Sequence, residues 1–342
     1  MECILKIEKD CWDHLDHYFS DVIKLSGKIL YVSSDHIDGL FGHRIKPVLE
    51  KYGTLKEELI DQNTIEYAMR IAERIIATDI KFIVGLGGGK VLDVCKYAAY
   101  VSKTKFISIP TIVSNDGIAS PIAVLKRQDG KPKSLGCAVP FALLVDLRVI
   151  MNSPIEYIKA GIGDTLSNFT ALYDWKLAAK AKKETIKDLA YLMSSTAMDT
   201  LIGCRFNTFN YPFTKSLVQS LVLSGIAMDF AGTSRPCSGA EHLFSHALDY
   251  YADTHNLHGL QVALGSIVMA KLQKRDYDFL LSYLKHFEVD INPKTLNISK
   301  ELFMTCMYQA KSLRPDKYTI LDEVQLNDEL LSNIYDELCE DL

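Results

Sequence analysis

Short runs of branched apolar residues are confined to the first 150 or so positions of this 342-residue chain. Lys28–Val32 (KILYV), Phe82–Val84 (FIV), Phe106–Ile109 (FISI) and Leu143–Val145 (LLV) are each bounded by polar or turn-forming residues, as buried parallel strands are. Between the first two lies a longer helical region that includes Ile65–Ile76, where Ile65, Ala68, Met69, Ala72, Ile75 and Ile76 repeat with helical period. Strand–helix–strand alternation predicts a doubly wound α/β domain over residues 1–151. From about Asn152 the strand signals stop. Pro154 can open a helix, and Ala160–Asp174, Ile186–Leu201, Leu217–Asp229, Glu241–Tyr251, Leu260–Leu272 and Glu301–Ala310 all carry helical periodicity. Residues 152–342 are therefore expected to form an all-helical domain.

Bulk properties narrow the functional classes. Hydrophobic residues at 48% and charged residues at 24% are those of a folded protein rather than a disordered one. A net charge of −5, from 38 Lys+Arg against 43 Asp+Glu, argues against a nucleic-acid or anionic-membrane partner. The Lys-rich stretch Lys176–Lys187 reads as the solvated face of a helix. MECILKIEKD has no signal-peptide pattern, and no apolar run approaches a membrane span. Cys3, Cys11, Cys95, Cys137, Cys204, Cys237, Cys306 and Cys339 lack CxxC spacing, which predicts reduced thiols and a cytoplasmic protein.

Two loops carry the first chemical signal. FIVGLGGGK, Phe82–Lys90, is a strand running into glycines and then a helix near Val91. Glycines admit a pyrophosphate close to the backbone, and a helix N-terminus offers unpaired N–H groups. The dinucleotide fingerprint G-x-G-x-x-G fails at Lys90, and the nucleoside-triphosphate loop fails at Val84 and Val91. What is left suits either an anion site or a tight structural turn. The next strand stops at Pro110, and Thr111, Ser114, Asn115, Asp116 and Ser120 crowd its C-terminal end. That is the sheet edge where ligands of open α/β folds bind, though Asx and Ser/Thr turns would use the same residues.

The second signal is histidine. Four of the nine histidines fall between positions 242 and 258. His242 and His246 share one helix face, and His258 follows a polar turn. Asp164, among the small and apolar residues of AGIGDTLSNF, is expected to be partly buried and to need a partner. One carboxylate and two imidazoles with an open position suit a catalytic divalent metal, while a helix-face histidine also serves as an ordinary core or surface residue.

Taken in order, GLGGGKVLDVCKYAAY, FISIPTIVSNDGIASPIAVL, KSLGCAVP, AGIGDTLSNFTALYDWKLA, SRPCSGAEHLFSHALD, LHGLQVALG and RPDKYTIL resemble the iron-containing alcohol dehydrogenase/dehydroquinate synthase-like superfamily. Within it they are most similar to the sn-glycerol-1-phosphate dehydrogenases. The resemblance implies a Rossmann-like NAD(P)-binding domain joined to an all-α metal- and substrate-binding domain. It implies a divalent metal, zinc first with iron or nickel as alternatives, on Asp164, His242 and His258. It further implies an NAD or NADP site made by Gly87, Gly88, Gly89, Lys90, Val91, Asp93, Thr111, Ser114 and Ser120. Asp116 and His246 are the implied catalytic residues, as hydroxyl-positioning or proton-relay groups.

The implied reaction interconverts sn-glycerol-1-phosphate and dihydroxyacetone phosphate by hydride transfer at C2, a step of phospholipid biosynthesis, in a homo-oligomer. Asp35 is placed to favour NAD by binding the adenosine ribose, whereas Ser33 and Ser34 would suit the 2′-phosphate of NADP. Cys237 stands where the family motif usually has alanine. Glycerol or another free polyol as substrate, a dehydroquinate synthase-type lyase, and a catalytically silent binding protein are the competing readings.

Overall fold

The computed structural model describes residues 3–203 and 208–340. Its contacts divide the chain into two units, one of Met1–Val113, Gly117–Ser153 and Asn210–Val218, the other of Ser114–Asp116, Pro154–Phe209 and Gln219–Leu342. The first unit is built on eight strands: β1 Ile4–Glu8, β2 Gly27–Ser33, β3 Gly53–Leu59, β4 Ile80–Gly87, β5 Lys105–Pro110, β6 Ile122–Lys126, β7 Pro132–Gly136 and β8 Ala142–Asp146. Six of them form an all-parallel sheet in the order β1-β8-β5-β4-β2-β3, and β6 and β7 pair as a separate antiparallel hairpin. Helices α1 Leu15–His17, α2 Asp35–Glu50, α3 Ile65–Thr78, α4 Gly89–Ser102 and α5 Leu147–Met151 complete this half.

The four strands expected from the sequence are β2, β4, β5 and β8, the four in the middle of the sheet. Central strands covered on both faces read as continuous apolar runs, and Ile29–Val32, Ile83–Leu86 and Ala142–Val145 are fully or nearly fully buried. The edge strands β1 (ILKIE) and β3 (GTLKEEL) are half-solvated and carry no such run. The single helical region expected between β2 and β4 is accordingly corrected to α2, β3 and α3. In α3 the buried face is Ala68, Ile71, Ala72 and Ile75; Ile76, assigned to that face from its spacing, is 64% exposed.

The helical half contains α6 Ile155–Leu166, α7 Asn168–Lys180, α8 Asp188–Gly203, α9 Tyr211–Ala231, α10 Ala240–Tyr251, α11 His258–Leu272, α12 Asp278–His286, α13 Lys300–Leu313 and α14 Asp328–Glu340. The first turns of α9 cluster with the other unit. The expected single helix Ala160–Asp174 is broken at Ser167, whose hydroxyl donates to the Asp164 carbonyl at 2.7 Å, a local bond that competes with helix continuation. The Lys176–Lys187 stretch is helical only as far as Lys180. Cys204 lies outside the described residues; the other seven cysteines are free thiols. No helix among the described residues is long and apolar enough to cross a membrane.

Candidate active site

In the first unit, β4 and β5 run side by side with Gly87 opposite Pro110, so the two polar loops leave the sheet at adjacent points. The Thr111 N–H donates to the Gly87 carbonyl at 3.0 Å, tying one loop to the other. A Cβ on Gly85 would come within 2.9 Å of Cys95 Sγ, and one on Gly87 within 2.9 Å of Val91 Cγ2. These two glycines let α4 pack onto its own strand. Gly89 differs: a Cβ there would meet nothing within 4 Å. Open space lies over the first turn of α4, where N–H groups have no intrahelical acceptor. The Thr111 hydroxyl is buried without a hydrogen-bond partner among the described residues, as a group awaiting a ligand would be. This donor set fits a phosphate-bearing cofactor.

Other residues assigned to the cofactor have different surroundings. The Asp93 carboxylate accepts from the buried Lys96 Nζ at 3.3 Å and from the Val124 N–H at 3.1 Å. Lys96 also donates to the carbonyls of Gly117 and Ile122, at 2.6 and 2.7 Å, so the pair anchors the segment that follows the polar loop. Lys90 is exposed, Val91 and Ser120 are buried, and Ser114 is half-buried. Ser33 is fully buried and its hydroxyl donates to the Leu86 carbonyl at 2.8 Å, which engages one of the two hydroxyls considered for a 2′-phosphate. Asp35 opens α2 and is exposed.

In the second unit three distant residues meet. Asp164 on α6, His242 on α10 and His258 at the start of α11 each offer one ligand atom, and these atoms all lie within 4.8 Å of one another. His258 Nε2 is 3.6 Å from Asp164 Oδ1, and the His242 and His258 ring centres are 5.1 Å apart. Glycines beside two of the ligands bring them together. A Cβ on Gly163 would lie 2.2 Å from the Gly259 carbonyl oxygen, and one on Gly259 would lie 1.9 Å from the Ala160 carbonyl oxygen. α6 and α11 therefore touch backbone to backbone, which no larger residue permits.

Neighbouring groups aim the ligand atoms. Asp164 is 5% exposed, and its Oδ2 accepts the Asp116 N–H at 2.8 Å, which leaves Oδ1 toward His258. The Ser245 hydroxyl donates its one proton to Gln261 Oε1 at 2.7 Å and so accepts from His258 Nδ1, 3.1 Å away. Gln261 Nε2 in turn donates to Asp249 Oδ1 at 3.2 Å, fixing which way the amide faces. The chain Asp249–Gln261–Ser245–His258 thus keeps the proton on Nδ1 and the lone pair on Nε2. His242 Nδ1 lies 2.8 Å from the buried Glu241 Oε1, which orients that ring in the same sense. Glu241 also accepts from the Gly239 N–H and the Thr170 hydroxyl. Burial pushes Glu241 up, but its bonds from His242 and Gly239 outweigh this and hold it below the usual carboxylate value.

The electrostatics of the cluster ask for a cation. Burial, then the charges of Asp116 and Glu241, push Asp164 well above the ordinary carboxylate range. Burial, then His242 and His246, hold His258 well below the ordinary imidazole value. A cation among the three atoms reverses the pressure on Asp164, because it favours the carboxylate, and it needs the neutral imidazole that the surroundings of His258 already favour. One carboxylate and two imidazoles fit a divalent metal with room for further ligands. His246 stands outside this cluster, its ring centre 6.5 Å from that of His242. Burial, then the charges of His242, Lys317 and Arg314, lower its pKa to about 3, so it is neutral near pH 7. Asp116, half-buried, is joined to the cluster through its backbone N–H.

Sequence reasoning missed Glu241, Ser245, Gln261 and Lys96. The one signal on offer was adjacency, since Glu241 precedes His242 and Gly163 and Gly259 flank Asp164 and His258. Cys237, buried, donates its thiol to the Ser224 carbonyl at 3.3 Å, a bond that an alanine would lack.

Comparison with solved structures places the fold in a known class. A glycerol dehydrogenase from Schizosaccharomyces pombe superimposes with a TM-score of 0.81 at 18% identity, covering 98% of this chain and 88% of the other. A probable glycerol dehydrogenase from Sinorhizobium meliloti gives 0.78 at 18% identity, covering 98% and 96%. The family model described as "Iron-containing alcohol dehydrogenase" matches residues 6–154. Sequence relatives are more particular. A glycerol-1-phosphate dehydrogenase [NAD(P)+] of Hyperthermus butylicus is 35% identical over 313 residues, 91% of this chain and 89% of the relative. One of the same name from Aeropyrum pernix is 35% identical over 326 residues, 93% and 91%. The chain belongs to the glycerol-1-phosphate dehydrogenase family of the iron-containing alcohol dehydrogenases.

Proposed function

We propose that the protein interconverts sn-glycerol-1-phosphate and dihydroxyacetone phosphate, with NAD or NADP as hydride carrier and a divalent metal at Asp164, His242 and His258. The observation that carries this reading is the convergence of those three ligand atoms in a chain whose relatives bear the name glycerol-1-phosphate dehydrogenase [NAD(P)+]. Residues 1–151 would bind the cofactor and residues 152–342 the metal and substrate. When bound, the metal supplies Lewis-acid polarisation of the C2 oxygen and so favours the alkoxide near neutral pH. The nicotinamide supplies the hydride acceptor, and the protein fixes its orientation.

The chain's own residues do the rest. Gly87, Gly88, Gly89 and Lys90 offer the turn and the N–H groups for a pyrophosphate, and Thr111 offers an unused hydroxyl. Ser114 and Ser120 are assigned to the same cofactor. The Asp249–Gln261–Ser245 chain and Glu241 keep both imidazoles in the ligating tautomer. Asp116 and His246 position the substrate hydroxyls and pass the C2 hydroxyl proton toward solvent. With a pKa lowered to about 3, His246 does this as a neutral hydrogen-bonding ring rather than as a stored acid. Seven free thiols accord with the reducing cytoplasm, and a homo-oligomer is the assembly we propose.

The test is a substrate panel. NAD(P)H formation is expected with sn-glycerol-1-phosphate, little with its sn-3 enantiomer or glycerol, and oxidation of NAD(P)H with dihydroxyacetone phosphate. Equal turnover of glycerol would replace the substrate with a free polyol. No net change in NAD(P)H with any of these substrates would overturn the dehydrogenase reading. Elemental analysis of protein purified without chelator identifies the metal, with zinc expected, and size-exclusion chromatography reads the oligomer.

A further inference from the structure

Helix α7 carries none of the three ligands, yet each of the helices that do is tied to it. α6, with Asp164, runs into α7 through the break at Ser167. Gln273, which closes the helix that His258 opens, donates from Nε2 to the Thr170 carbonyl at 3.2 Å and to Asp174 Oδ1 at 3.1 Å. α10, with His242, begins against the same two residues. Asp174 Oδ2 accepts the Ala240 N–H at 2.8 Å, and the Thr170 hydroxyl donates to Glu241 Oε2 at 2.9 Å. Four positions apart, Thr170 and Asp174 share one face of α7, and both are fully buried.

The start of α10 has no capping side chain of its own. Gly239 stands at the N-cap, and the carboxylate of Asp174 takes the first free N–H of the helix in its place. There is no slack in the arrangement. A Cβ on Gly239 would lie 2.8 Å from Asp174 Oδ2, 2.8 Å from Glu241 Oε2 and 2.9 Å from Ala171 Cα. Asp174 Oδ1 also accepts the Ile320 N–H at 3.0 Å. Three N–H donors thus hold this carboxylate, and among the described residues it makes no ion pair. Burial, then the charge of Glu241, push it up to about 7 against those bonds. An acid here therefore costs stability that an apolar side chain of similar size would not. What the acid supplies is register. Glu241 and His242 are the second and third residues of α10, so a shift of its first turn moves the imidazole and the carboxylate behind it together.

We propose that Asp174, with Thr170, is a positioning residue of the metal centre, capping α10 from a neighbouring helix and thereby fixing where His242 Nε2 stands. The inference rests on the reading of Asp164, His242 and His258 as that centre. Both residues act through α10 and Glu241 rather than on the cation. In Asp174→Asn one oxygen becomes an amide that donates, so the N–H of either Ala240 or Ile320 faces a donor. Thr170→Val keeps the shape of the side chain and removes only the hydroxyl that steadies Glu241 behind His242.

Zinc affinity is read by competition with a chromogenic chelator. Ligand geometry is read from the visible absorption of the cobalt(II)-loaded protein, which follows the arrangement of the ligands. Asp174→Asn and Thr170→Val are each expected to weaken zinc about 10-fold or more and to shift the cobalt bands. The measurements are made where each metal-free variant is folded by circular dichroism, so that lost stability alone leaves both readouts unchanged. Native zinc affinity and native cobalt bands in both variants overturn the assignment and leave α7 a structural support only. A wild type that takes up neither zinc nor cobalt overturns the metal centre itself, and this proposal with it. Should Asp174→Asn fail to fold, Thr170→Val, which opens no cavity, decides by the same two readouts.

Discussion

A ligand side chain is only as good as the group behind it. For His258 that group is Ser245, whose hydroxyl is committed by Gln261. Ser245→Ala and Gln261→Leu are expected to weaken metal affinity about 10- to 100-fold without removing a ligand atom, measured by competition with a chromogenic chelator; unchanged affinity in both would show that the chain is structural only. His258→Ala should lose metal and turnover together, and full metal content in that variant would remove it from the centre. His246→Ala should keep its metal and lose kcat. Asp164, His242, His246 and His258 stood out in the sequence as candidates, histidines crowded together and an acid among small residues, but the choice of Asp164, His242 and His258 over His246 came from the family resemblance. Ser245 and Gln261 did not stand out, since their roles arise only once α10 and α11 lie side by side, and no local pattern distinguishes them from other helix residues.

At the level of elements, legibility followed burial. β2, β4, β5 and β8 were readable because the apolar runs within them are buried, whereas β1 and β3 close the sheet at its edges with mixed sequences. α12 and α14 were missed because their buried stripes, Leu280 and Leu284 in one and Leu331, Ile334, Tyr335 and Leu338 in the other, are thin among charged neighbours. The glycine turn yields a prediction of its own. Gly89→Val adds bulk only into open space, so the melting temperature should hold while the cofactor KM rises about 10-fold or more, if roughly 1.4 kcal/mol or more of phosphate contact is lost. An unchanged KM would make the turn purely structural. Gly259→Ala is the opposite case, expected to cost about 1–3 kcal/mol of stability in urea unfolding and to depress metal affinity with it.

For the molecule as a whole, the cluster links stability to metal supply. A ligand present at a hundredfold excess over its dissociation constant stabilises the folded state by about 2.7 kcal/mol, so chelation should lower the melting temperature by several degrees and restored zinc should return it. A transition indifferent to chelator would mean that no cation is bound at Asp164, His242 and His258. The contact of Gly163 with Gly259 adds a constraint on how such a chain can change over time. Two main chains set the gap between a carboxylate and an imidazole, with no intervening side chain whose rotamer could take up error. A saturation library at those two codons, selected for activity, should return almost nothing but glycine, while the neighbouring surface positions drift freely.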